Sequence, residues 1–508
     1  MNAIARQGGR RVDSAPIRRV DTMRPKLRLL DDALVARILD EARSILEAPG
    51  VEIHEKDVAA LLSDHGARID AATRRVSIGP DLVDAAIASA PRCVCLFDVL
   101  GSETHRLEGD RVHFTPGSAA IYVLDGSTGE IRRPVTADYV RYVKVVAGLP
   151  HLAAQSTAFI PADVAPEISD SYRLFLSLLY GEKPVITGAF GADGFAVMRD
   201  LQLAVRGSAE ALEAKPLTIF SACPTAPLQW SRETSRNVVD CARAGIPVEL
   251  VSMPLAGFVA PVTLVGSVIQ HAAETLSGLV IGQLARPGAP MLWGGSPAVF
   301  DIRYETTPMG AVETMMLACA NAEIGKHLGL PTQGYIALSD AKRLDAQAGL
   351  ETSMGATLAA LSGINSVSGP GMLDFENCQS LEKLVVDHEM CAMAARLVRG
   401  IVPREDFPAR PLFEELLRDG HLLIADHTRR HRREEIVVPG PVIDRASLAR
   451  WQDDGSSTLG QRASREVARL ESSWTPTRLP DDVRRLLVER MTLEAIRAGM
   501  PALPARNG

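Results

Sequence analysis

The chain has 508 residues, 46% of them hydrophobic and 23% charged, with a formal net charge of −7 and seven cysteines. That length holds one large core plus appendages, since an eight-stranded β/α barrel uses about 250 residues. An acidic balance without a basic stripe argues against nucleic acid as a partner. Scattered cysteines with no C-x-x-C pair point to reduced thiols, and the lack of a secretory signal or of any run near 20 apolar residues predicts a cytoplasmic protein without a membrane span.

In chain order, residues 1–29 read as a disordered basic tail, where Arg10, Arg11, Arg18 and Arg19 sit among polar residues and prolines. Residues 30–109 read as a small α/β cap. Its helices are expected over 31–46, 55–65 and 81–88, with a strand at 76–78; Leu34, Ile38, Ala42 and Leu46 recur at near-helical spacing. Cys93 and Cys95 alternate within an apolar run and read as two strand residues facing one way rather than as metal ligands.

Over 110–371, eight β-rich runs alternate with helical segments: 112–114, 155–160, 184–190, 216–223, 247–253, 290–294, 332–338 and 364–368. The fold class expected from this alternation is α/β, a (β/α)8 TIM barrel with an N-terminal α/β cap and a helical C-terminal extension. The extension covers 372–508 and opens with a long helix over about 376–398.

A barrel places its active site at the carboxyl ends of its strands, which makes candidates of the residues there. His113, Trp293, Phe300, Arg303, Tyr304 and Tyr335 are the substrate-binding candidates. Aromatic faces attract a quaternary ammonium, and the arginine fork suits a carboxylate. Asp340 and Lys342 open the polar group after the seventh run and are the catalytic candidates; a helix cap and a surface ion pair are equally good accounts of such residues.

No Walker loop, G-x-G-x-x-G turn, G-x-S-x-G elbow or H-E-x-x-H helix is present. His427 and His431 have zinc-like spacing, but Arg429, Arg430, Arg432 and Arg433 around them repel a cation. No metal site and no tightly bound cofactor are expected of this chain alone.

Three segments carry a family resemblance: 253–267 (MPLAGFVAPVTLVGS) with 287–295 (PGAPMLWGG), 339–351 (SDAKRLDAQAGLE) and 369–374 (GPGMLD). In these the chain resembles the trimethylamine methyltransferase superfamily, from about Leu30 onward. The resemblance implies methyl transfer from an amine to a corrinoid (cobalamin) carried by a separate corrinoid protein. The D-x-H-x-x-G signature of corrinoid carriers is absent, so that cofactor is expected to arrive on the partner.

The founding member carries pyrrolysine, whereas every position here is a standard residue. This departure implies the glycine betaine methyltransferase-like branch and a betaine-type quaternary amine as substrate, its carboxylate expected at Arg303. A quaternary nitrogen leaves as a neutral tertiary amine and needs no proton, so the protein's contribution is orientation in a dry pocket. A homo-oligomer is expected. Two alternatives stay open: a TIM-barrel lyase or aldolase using Lys342 as a Schiff-base amine, and a non-catalytic quaternary-amine-binding protein.

Overall fold

The computed structural model describes residues 24–191 and 194–506. Most of the basic tail expected at the amino terminus, including Arg10, Arg11, Arg18 and Arg19, lies outside the described residues. Contacts divide the chain into two compact units, one comprising Lys26–Ala395 with Pro439–Gly508 and the other holding Arg396–Val438.

The larger unit is built on eight short strands, each occupying one of the expected runs: β1 (His113–Thr115), β2 (Gln155–Ser156), β3 (Val185–Thr187), β4 (Thr218–Ala222), β5 (Val248–Ser252), β6 (Met291–Gly295), β7 (Gln333–Tyr335) and β8 (Ser366–Ser368). A helix follows each strand: α1 (Thr136–Ala147), α2 (Ser169–Tyr180), α3 (Gly194–Arg206), α4 (Arg232–Ala244), α5 (Leu264–Ala285), α6 (Val312–His327), α7 (Ala346–Ser362) and α8 (Leu381–Val398). Strands β2 to β6 form one parallel sheet in sequence order. A second parallel sheet runs β7–β8–β1. Parallel bridges from Phe114 to Leu152 and from Trp293 to Thr332 join the edges of the two sheets.

Strand residues alternate between two faces. On β4, the Thr218 hydroxyl donates to Gln202 Oε1 of α3 at 2.7 Å, so Ile219 and Ser221 face the other way. On β5, the Ser252 hydroxyl reaches Glu274 of α5 at 2.6 Å, which turns Glu249 to the side away from the helices. Helix α5 is long and apolar enough to cross a membrane (mean hydropathy 1.3), yet 78% of that stretch is buried inside the protein, as befits a core helix.

At the amino ends of the strands an antiparallel hairpin, Val94–Phe97 with Glu103–Leu107, supplies a plug. Its Val94, Leu96 and Leu107 pack with Ala154, Ile186, Ile219 and Leu292 in one buried apolar cluster. Burying side chains of this size is worth about 1.5–3 kcal/mol each. The helices Asp32–Glu47 and Pro80–Ser89 lie against α5.

Over the carboxyl ends lies a four-stranded sheet made from the segments that follow β1 and β8: Tyr122–Leu124, Ile131–Arg132, Met372–Leu373 and Cys378–Gln379. Helix α8 begins at Leu381, five residues later than the sequence suggests. Asp374, Phe375 and Glu376 take φ of 51°, 55° and 74°, a left-handed run that no helix accommodates.

The Arg396–Val438 unit holds the helices Arg410–Asp419 and Asp426–Glu435, neither of which has a buried residue. Arg404 links to Glu434 and Glu435 at 3.0 and 2.8 Å, tying its two ends together.

Candidate functional site

Tyr335, Glu249, Glu376, Cys223, Ser221, Gln333 and Ser118 gather at the carboxyl ends of the parallel strands. Glu249 is fully buried on β5. Its Oε1 accepts the Ser221 hydroxyl at 2.6 Å, while Oε2 has no partner. Burial without a countercharge disfavours the ionised form and pushes this carboxyl up to about 7. Gln333 and Tyr335 share a face of β7, the Gln333 Oε1 accepting Gly295 N–H at 3.0 Å and its Nε2 remaining unpaired. The Ser368 hydroxyl at the end of β8 is also buried and unpaired.

Glu376 enters from the left-handed run after β8 and accepts the Ser118 backbone N–H at 3.5 Å. Its approach requires glycine at 117, because a Cβ there would clash with Met372 Cγ and meet Glu376 Oε1 at 3.1 Å. Burial, then repulsion from Glu249, raises Glu376 to about 8. Burial also lifts Tyr335 well above its ordinary range, with Glu249, Glu376 and Cys223 adding to it, while a bond to the Ser118 side chain opposes the shift. Cys223 is pushed up to about 12 by burial and by the same two glutamates.

Strained backbone concentrates here. Of the nine non-glycine residues of positive φ among the described residues, seven (Ala119, Leu228, Glu305, Ala337, Asp374, Phe375 and Glu376) lie in segments that follow a central strand, Arg74 and Ser456 being the other two. Each such conformation costs about 1–3 kcal/mol and persists only where surroundings hold it.

The residues singled out from sequence fall in several places. Tyr335 lies within the cluster. Asp340 is buried and accepts Met309 N–H at 2.8 Å and Gly310 N–H at 2.9 Å, clamping the approach to α6; burial raises its carboxyl to about 6. Lys342 donates to the Asp340 carbonyl at 2.7 Å, pairs with Asp374 at 3.4 Å and sits 4.0 Å over the Phe375 ring. It braces the loop that carries Glu376. Asp345 caps α7, accepting Gln347 N–H at 2.9 Å.

Phe300 stacks on Phe258 with centroids 4.8 Å apart. Arg303 and Tyr304 stand on the loop after β6, where Arg303 grips Asp301 through two hydrogen bonds of 3.0 and 2.5 Å and lies 5.5 Å over the Tyr304 ring. Ile302 and Tyr304 are 77% and 74% exposed, and with Phe258 and Val262 they make an apolar rim. Trp293 faces outward, packing against Gly325 of α6 and lying 5.9 Å from His271 of α5. His113 sits at the amino end of β1, where its ring bonds to the Arg106 carbonyl at 3.1 Å and lies 4.7 Å from His105.

Glu249 and Glu376 are not among the sequence candidates. A cleft of about 430 Å³ beside Lys144, Trp474 and Arg478 has little to offer a ligand, because Arg478 is paired with Glu182 and Lys183 donates to three carbonyls. Among the described residues no group of three or more His, Cys, Asp or Glu is placed to hold a metal ion.

An α/β chain that gathers unpaired polar groups at the carboxyl ends of parallel strands is arranged for small-molecule chemistry. The chain belongs to the trimethylamine methyltransferase family, whose model matches residues 2–493. It is 29% identical over 443 residues to a trimethylamine methyltransferase of Desulfitobacterium hafniense, covering 87% of this chain and 89% of that one. It is 26% identical over 463 residues to a glycine betaine methyltransferase of the same species, covering 90% and 95%. The monomethylamine methyltransferase of Methanosarcina barkeri shares the fold, with a TM-score of 0.51 at 10% identity, covering 94% of this chain and 89% of that one.

Proposed function

We propose that the protein moves a methyl group from a small quaternary amine to the corrinoid of a separate protein, on a (β/α)8 barrel. Closure of the barrel is supported by the two parallel sheets and by the bridges at both of their edges. The observation that carries the functional reading is the composition of the mouth: one tyrosine, two glutamates and small polar groups, on a chain of standard residues only. That set attracts a cation and offers no amine or imidazole to activate a less reactive one.

The substrate nitrogen rests against the Tyr335 ring, a contact worth roughly 0.5–2 kcal/mol, with Glu249 and Glu376 on either side. Plugging of the amino end leaves the carboxyl end as the way in. Orientation there makes the in-line displacement effectively unimolecular, and exclusion of water strengthens the electrostatic contacts around it. The partner's corrinoid supplies the nucleophilic cobalt, and the exposed rim of Phe258, Val262, Ile302 and Tyr304 suits the docking of a second macromolecule over the mouth. Asp340 and Lys342 act through the loops they hold. Their engagement with Met309, Gly310 and Asp374 gives no support to a Schiff-base lysine.

The test is incubation of the protein with cob(I)alamin and a panel of quaternary and tertiary amines, followed by visible spectroscopy. Methylcobalamin formation from one or more quaternary amines is the expected result. Turnover of trimethylamine alone, or of nothing in the panel, overturns the reading.

A further inference from the structure

Among the described residues the mouth contains two carboxyls and no countercharge. The titratable groups that act on Glu249 and Glu376 are Cys223 at the end of β4, Tyr335 on β7 and each other, and the polar contacts are Ser221 and Ser118. None of these is a cation. Glu249 has one oxygen free of any partner, and Gln333 directs an unpaired amide nitrogen from β7, both side chains being more than nine-tenths buried. A buried polar group left unpaired costs about 1–3 kcal/mol, so such atoms mark where a ligand completes the structure.

Two ionised carboxylates in one dry pocket would each bear the desolvation penalty and repel the other. Burial raises Glu249 to about 7 and Glu376 to about 8, so both are mostly protonated below neutral pH.

We propose that the mouth exchanges a proton for its methyl donor: a quaternary ammonium enters as a carboxyl proton leaves for solvent, so that binding is electroneutral and linked to pH. The step balances: a neutral glutamate carboxyl and an incoming quaternary ammonium cation give a glutamate carboxylate beside that cation and one proton in solvent. It rests on the quaternary-amine reading above and adds a selection rule, since a neutral molecule of the same shape expels no proton and gains no ion pair. The exchange also limits ground-state stabilisation. A carboxylate that forms only at the expense of its proton holds the cation less tightly than a permanent anion, and this favours loss of positive charge in the transition state.

Isothermal titration calorimetry on the full chain tests this, in buffers of differing ionisation enthalpy at pH 6.5 and pH 9. The probes are tetramethylammonium, choline and glycine betaine, with 3,3-dimethyl-1-butanol as the neutral isostere of choline. Expected is release of close to one proton per cation at pH 6.5, almost none at pH 9, and none with the alcohol at either pH. Cation affinity should rise by up to tenfold per pH unit between 6 and 8. Glu249→Gln and Glu376→Gln should each reduce the release, and continued binding of the alcohol reports an intact pocket.

Cation binding with no buffer dependence, or identical behaviour of choline and the alcohol, sinks the exchange and leaves the quaternary-amine reading standing. Failure of every quaternary amine to bind sinks both.

Discussion

At the amino ends of the parallel strands, Val94, Leu96 and Leu107 of the hairpin meet Ala154, Ile186, Ile219 and Leu292 in a cluster of hydrocarbon alone. At the carboxyl ends, the parallel strands present Ser221, Glu249, Gln333 and Ser368, several with unpaired atoms, under loops of strained backbone. Ile219 and Ser221 are two residues apart on one strand. The first two layers of side chains thus do opposite things. One end gains stability from burial, and the other accepts desolvation and strain to keep polar groups ready. Substitutions at the two ends should separate stability from ligand recognition.

The largest expected effect is at the plug. Ile186→Ala leaves a cavity in the dry cluster, on a strand separated by β4 from the one that holds Glu249, and should destabilise the chain by about 2–5 kcal/mol, read by chemical denaturation. Affinity for choline in the folded fraction should stay unchanged. A cost below about 1 kcal/mol, or weakened choline binding at constant fold, would mean that the two ends are not independent.

At the mouth the sign reverses. Glu249 has an ordinary value of 4.5 raised by burial to about 7, so the folded state binds its proton more tightly than the unfolded state does. Its stabilising contribution is fully present below about pH 4.5 and is lost as pH rises through 7. Glutamine never ionises, so Glu249→Gln should match the parent near pH 4.5 and gain on it with rising pH, reaching on the order of 3 kcal/mol above pH 8. Thermal melts of parent and variant from pH 4.5 to 9 measure this difference directly. Histidines that titrate in both proteins, such as His105 and His388, cancel in it. A difference that is flat with pH would show that Glu249 is not held protonated. Turnover of the variant should fall even as its stability rises.

The strands were legible because parallel strands covered on both faces read as short apolar runs ended by proline or glycine. The helix Gly194–Arg206, apolar on one face, falls in the helical interval between the third and fourth runs. Which side chains enter the mouth was harder to see. Trp293 and Leu292 are neighbours on one strand, and a shift of one residue exchanges inside for outside. Glu249 did leave a signal, a lone acid within Pro247-Val-Glu-Leu-Val-Ser252, since glutamate is almost never fully buried without reason. Glu376 left none. Its position depends on three successive left-handed residues, none of them glycine, and local propensity points instead to a helix starting there.

The smallest effect is expected on the rim, at Arg303, the residue whose guanidinium fork by its chemistry suits a substrate carboxylate. Arg303 is exposed to solvent, and both arms of its guanidinium are already taken by Asp301 on the same loop. A carboxylate arriving from solvent must displace Asp301 and gains only the small difference between two solvent-screened ion pairs. Arg303→Ala should therefore weaken glycine betaine by less than about fivefold relative to choline, and it should leave the denaturation midpoint unchanged. Loss of betaine affinity by a hundredfold with choline spared would mean that the loop closes over the mouth when substrate binds, bringing Arg303 into a dry contact. Such a result would move the boundary between rim and mouth inward to Asp301 and make the Asp301–Arg303 pair a latch that the substrate opens.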